Sequence, residues 1–139
     1  NEARIDFLAH HDPLTGLPNR VLFRDRFELA TAWSGRSGCK VGLMYLDLDH
    51  FTLINDTVSH AAGDVLISSI ASMLQASLLP GERLFRIGGD EFALLLPSTD
   101  KSAERRAQQL ITAIETFRTG WNGHLLSTTA SIGMANLAP

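Results

Sequence analysis

Two carboxylates in succession, Asp90 and Glu91, follow a pair of glycines, Gly88 and Gly89, between the apolar runs Leu84-Phe85 and Phe92-Ala93-Leu94-Leu95-Leu96. Like charges held side by side repel, so the pair calls for a cation. In a chain that handles anions the economical cation is a hard divalent metal, which carboxylate oxygens bind and which can in turn hold phosphate oxygens. The competing reading is a pair of solvated turn residues, since Asp is common beside glycine in loops. A second supply of acid stands at Asp47 and Asp49, directly after the apolar residues Val41, Leu43, Met44, Tyr45 and Leu46. Period-two geometry sends both side chains from one face of a strand near its end, although an ordinary strand entering a polar loop would look the same. Phe51 then opens a short helix over 51–56, whose first N–H groups can face an anion at the strand end. Asn55 offers a donor and an acceptor and Asp64 accepts from paired N–H groups, so the two together can read a purine edge, guanine in particular. Asp64 also stands where an N-cap belongs for a helix over 65–79, and spacing alone favours that role. His60 has no second His or Cys at ligand spacing and reads as a packing or hydrogen-bonding histidine.

These residues need elements to position them. The Gly88-Gly89 joint between two apolar runs reads as a tight hairpin turn using positive φ angles. Residues 41–49 are apolar on both faces, as in a central strand covered on each side. Asn19 follows the breaker-rich loop 12–18 and is expected to cap a helix reaching about Trp33, with Leu22, Phe23, Phe27 and Ala30 inward, ended by residues 35–38. The helix over 65–79 turns Leu66, Ile70, Met73, Leu74 and Leu78 to the core, and Pro80-Gly81 stops it. A helix over 101–118 does the same with Ala103, Ala107, Leu110, Ile111, Ile114 and Phe117. A last strand is expected over 125–136, after Gly120 and Asn122-Gly123. The order α, β, α, α, β, β, α, β suggests an α+β domain, an antiparallel hairpin inserted in an otherwise crossover-connected sheet flanked by helices. If the strand ending in Asp47 neighbours that hairpin, a separation of about 4.8 Å lets their carboxylates share metal ions. Residues 1–11 read as a linker helix arriving from an upstream domain.

Composition narrows the class. A chain of 139 residues, 45% hydrophobic and 19% charged, is most simply one ordered domain. Net charge of −3 with Lys40 and Lys101 as the only lysines argues against a broad nucleic-acid-binding face. The lone Cys39 excludes an internal disulfide and a Cys-based zinc cluster, and suits a reducing cytosol. No apolar run has the length of a membrane span, and no leader-like start is seen.

Taken together, Asp12-Pro13-Leu14-Thr15-Gly16-Leu17-Pro18-Asn19-Arg20, Asp47-Leu48-Asp49-His50-Phe51, Ile54-Asn55-Asp56, His60-Ala61-Ala62-Gly63-Asp64 and Arg86-Ile87-Gly88-Gly89-Asp90-Glu91-Phe92 resemble the GGDEF-domain diguanylate cyclases of bacteria. The resemblance implies a palm-like central sheet related to nucleotide cyclases and polymerases. It implies condensation of two GTP into cyclic di-GMP with release of pyrophosphate, by attack of a 3′ hydroxyl on the α-phosphorus. Each domain would hold one GTP, so two GGDEF domains must meet face to face. Carried over, Asp47, Asp90, Glu91 and the Leu48 carbonyl would bind Mg²⁺ or Mn²⁺, two ions per site. Asp90 is the nominee for proton acceptor, Glu91 assists at metal or phosphates, and Asn55, Asp64, Phe51 and His60 make up the substrate-binding set. The same likeness implies a cytoplasmic domain at 12–139 lacking its C-terminal helix and final strand, with an upstream sensory domain and, as in composite members, a downstream EAL domain; the parent protein could itself be membrane-anchored. Thr52 stands where the family usually has Lys, and Ser59 where it usually has Gly. Leu79 replaces the Arg of the family's product-inhibition motif over 79–82, so feedback through that site is not expected. Weak or absent cyclase activity is therefore expected of this chain. The alternative is a catalytically weak GTP-binding and dimerisation module that regulates an attached domain such as a cyclic di-GMP phosphodiesterase.

Overall fold

The two longest apolar runs become the two inner strands of a four-stranded sheet. A computed structural model describes residues 7–37, 40–49, 51–97 and 100–137. In chain order its elements are α1 (Arg20–Ser37), β1 (Val41–Leu48), α2 (Phe51–Thr57), α3 (His60–Ala76), β2 (Arg83–Arg86), β3 (Glu91–Pro97), α4 (Asp100–Thr116), β4 (Thr119–Trp121), β5 (His124–Leu126) and β6 (Ala130–Leu137). The sheet order is β2-β3-β1-β6 with every neighbouring pair antiparallel, a split β-α-β pattern in which β3 lies between β1 and β2. Of the segment 1–11, residues 7–10 are helical and His11 bridges to Pro18. Residues 1–6, Cys39, His50 and Ser98-Thr99 lie outside the described residues.

Alternation along the inner strands decides what covers each face. Met44, Leu46, Phe92 and Leu94 point to α3 and α4, packing with Leu66, Ile70, Leu74, Leu110 and Ile114. Leu43, Ala93, Leu95 and Phe85 point the other way and meet Phe23, with Leu22, Phe27 and Ala30 beside it on α1. Each such large apolar side chain contributes about 1.5–3 kcal/mol by leaving water. Both faces are therefore closed over β1 until its end, where Tyr45 and Asp47 emerge exposed. The acids of the sequence reading sit where the apolar cover stops.

Local chemistry moved several boundaries. The Asn19 carboxamide does cap α1, accepting from the N–H groups of Val21 (3.0 Å) and Leu22 (3.2 Å), but the helix continues through Gly35 to Ser37. α3 begins at His60 rather than Val65, because the Ser59 hydroxyl accepts the Ala62 N–H at 3.0 Å and caps the helix earlier. Asp64 is consequently one turn inside the helix and caps nothing. Ser59 has extended backbone (φ −178°), which any residue adopts, so the departure from glycine there imposes no strain. The Gly88-Gly89 joint is a wider turn over residues 87–90, and neither glycine has a positive φ. Left-handed backbone appears instead at Asn122 (φ 48°) and Gly123 (φ 83°). Those angles form a two-residue hairpin turn of the primed type, so β4 and β5 pair as a separate ribbon. The expected last strand thus divides, its first residues joining β5 and the rest forming β6.

Candidate functional site

β1 and β3 pair with Asp47 directly opposite Glu91, and the Leu48 N–H donates to the Asp90 carbonyl at 3.0 Å. Strand pairing therefore gathers the three acids: one carboxylate oxygen from each of Asp47, Asp90 and Glu91 lies within 4.8 Å of the others. Asp47 and Glu91 are exposed and Asp90 is half-buried. The guanidinium groups that form ion pairs, Arg86 with Asp12 and Arg106 with Glu82, leave this trio without a cation among the described residues. Three converging hard oxygen donors with no internal counter-charge fit a divalent cation of the Mg²⁺ class. The N–H and C=O of a strand residue leave from the same edge, so the Leu48 carbonyl is aimed at the side where Asp90 lies. An added Cβ at Gly89 would meet nothing within 4 Å, so the turn is open above that glycine. A cleft of about 290 Å³ adjoins the turn, lined by Asp12, Asn19, Arg20, Arg86, Gly88 and Gly89 and by none of the trio.

Asp49 does not join the acids. Its carboxylate accepts from the hydroxyls of Thr129 (2.7 Å) and Ser131 (2.8 Å), its carbonyl from Thr128 (2.6 Å), and its N–H donates to the Thr129 carbonyl (2.8 Å). It fastens the start of β6 to the end of β1, a partnership that the sequence spacing did not reveal.

The second set of residues lies on the helix pair. α2 packs its Asn55 carboxamide against Gly63 of α3 so closely that a Cβ at Gly63 would overlap Asn55 Oδ1. That oxygen is buried and has no hydrogen-bond partner among the described residues. Buried acceptors are rarely left alone, which marks Asn55 as a group kept for something other than stability. Asp64 follows Gly63 and is exposed, as is His60 in the first turn of α3. Phe51 is different: its ring is only 8% exposed and belongs to the core below α2.

Two residues to which the sequence reading gave no role hold the turn. Arg86 donates from Nε to the Gly88 carbonyl (3.2 Å), from Nη2 to the Gly89 carbonyl (2.8 Å) and from Nη1 to Asp12 Oδ2 (2.9 Å). Asp12 also receives the backbone N–H and hydroxyl of Thr15, both at 2.8 Å. Burial opposes ionisation of Asp12, but the hydrogen bonds from Arg86 and Thr15, with the Arg86 charge, outweigh it and hold the carboxyl below its ordinary range. The Asp12-x-x-Thr15 spacing was the available signal, since it is that of a side chain closing its own loop.

The family described as "Diguanylate cyclase, GGDEF domain" matches residues 9–139. The chain is 41% identical over 124 residues to diguanylate cyclase DgcP of Pseudomonas aeruginosa, covering 88% of this chain and 18% of that protein. It is 36% identical over 136 residues to cyclic di-GMP phosphodiesterase PdeR of Escherichia coli, covering 96% of this chain and 20% of that protein. The crystal structure of diguanylate cyclase SiaD from Pseudomonas aeruginosa, in complex with its activator SiaC, superposes with a TM-score of 0.88 at 33% identity, over 97% of this chain and 52% of that one. The chain thus spans about a fifth of the length of the two curated relatives.

Proposed function

That this chain belongs to the family of GGDEF diguanylate cyclase domains is the premise from which we propose its activity: condensation of two GTP into cyclic di-GMP and pyrophosphate. The observation that carries the reading is the convergence of Asp47, Asp90 and Glu91 within 4.8 Å, at the open end of a strand pair. Those carboxylates and the Leu48 carbonyl would hold Mg²⁺ or Mn²⁺. A bound divalent ion supplies a lowered pKa for the attacking hydroxyl and offsets charge that develops on phosphate. Asp90 would accept the displaced proton, directly or through water, and Glu91 would assist at the metal or the phosphates. Asn55 and Asp64, one on each of two packed helices, would receive the guanine edge, and exposed His60 flanks them. Phe51 supports this surface from beneath, through its buried ring. A second GGDEF domain supplies the second GTP, and a cytoplasmic setting supplies the nucleotide. Residues 1–11 would link the domain to an upstream sensory element.

A second reading is favoured by the likeness to PdeR, which is named a cyclic di-GMP phosphodiesterase, and by Thr52 in place of the usual Lys. There the domain binds GTP and regulates an attached partner such as an EAL domain. Incubation with GTP and Mg²⁺ or Mn²⁺, followed by separation of the nucleotides, decides between them. Cyclic di-GMP that vanishes in Asp90→Ala supports the cyclase, with a low yield expected from this chain alone. Retained GTP binding without product supports the regulatory module, and absence of GTP binding refutes both.

A further inference from the structure

We propose that Arg86 is a positioning residue for the acidic site: its guanidinium fixes the two peptide planes that deliver Asp90, and Asp12 holds that guanidinium in place. The proposal rests on the metal reading of Asp47, Asp90 and Glu91 given above.

Glycines restrict the backbone least, so the orientation of the Gly88 and Gly89 carbonyls has to be imposed from outside the turn. Arg86 does this with three different nitrogens, at 3.2 Å to Gly88, 2.8 Å to Gly89 and 2.9 Å to Asp12. The Gly89 carbonyl belongs to the same peptide plane as the Asp90 nitrogen. The plane on the other side of Asp90 is held by Leu48, whose N–H donates to the Asp90 carbonyl at 3.0 Å. Both planes flanking Asp90 are thus fixed, one from β1 and one from the end of β2. Arg86 is itself anchored, because its backbone N–H donates to the Pro18 carbonyl at 2.9 Å and its side chain is 14% exposed. A lysine would keep the charge but cannot aim three donors in one plane at three acceptors.

Electron paramagnetic resonance of Mn²⁺ binding, without nucleotide, tests the arrangement in the parent chain, Arg86→Lys and Asp12→Asn. Groups that orient metal ligands change metal affinity about 10–100-fold when lost, so Arg86→Lys is expected to bind Mn²⁺ at least about tenfold more weakly at an unchanged melting temperature. Asp12→Asn, which keeps an acceptor oxygen and removes the charge, is expected to weaken binding by a smaller factor and to speed hydrogen exchange at the Leu48 amide, which donates to the Asp90 carbonyl. Parent-like affinity in folded Arg86→Lys overturns the proposal. If that variant does not fold, Asp12→Asn decides: parent-like affinity with parent-like exchange at Leu48 overturns it, and loss of affinity with faster exchange supports it. A parent chain that binds no Mn²⁺ overturns the metal reading itself, and the positioning role with it.

Discussion

Single atoms decide whether a glycine at this site matters for shape or for space. A Cβ at Gly63 would overlap Asn55 Oδ1 and come within 3.2 Å of the Phe51 ring, whereas one at Gly89 meets nothing within 4 Å. Gly63→Ala should therefore cost about 1–3 kcal/mol of stability, as overpacking does, and weaken GTP binding by displacing Asn55. Gly89→Ala should leave stability within about 0.5 kcal/mol and lower activity by filling space that a ligand needs. Urea denaturation and GTP titration of the two variants separate these outcomes. The acidic trio was legible in the sequence because acids after apolar stems violate the pattern of the strands that carry them. Asp12 and Arg86 escaped because each has an ordinary surface explanation, and only the fold brings their side chains to 2.9 Å.

Elements came through the sequence where periodicity was strong and failed where a hydroxyl or a turn residue settled a boundary. The inner strands and the apolar faces of α1, α3 and α4 are as their spacing indicated. The start of α3 was misplaced because Ser59 outcompeted Asp64 as cap, and β5 was merged with β6 because the Asn122-Gly123 turn was taken for a simple break. Between elements, Arg106 on α4 makes a buried polar tie. It donates from Nε and Nη2 to the two Glu82 oxygens and from Nη2 to the Ser77 carbonyl, each at 2.8 Å. Their side chains are 9% and 4% exposed, so removing one partner strands a buried charge. Arg106→Ala is expected to lower the unfolding free energy by about 3–5 kcal/mol, with much of that loss recovered when Glu82→Leu is added. A double-mutant cycle under urea measures it.

At the scale of the whole molecule, the site exists only when β1 and β3 pair, since Asp47 and Glu91 face each other across that register. Like charges directly opposite in a sheet are unfavourable by about 0.2–1 kcal/mol. Asp47→Asn should accordingly raise the melting temperature slightly without metal, and abolish the further rise expected of the parent chain when Mn²⁺ is added. That rise corresponds to about 2.7 kcal/mol at about a hundredfold excess over Kd, readable by calorimetry. The sheet ends in two unequal margins, β2 and β6. On the β2 side the outward N–H of Arg86 is already taken by Pro18. An extended segment from another polypeptide that paired at Arg86 would first have to displace the Pro18 carbonyl, a guard against runaway β-stacking posted beside the Gly88-Gly89 turn.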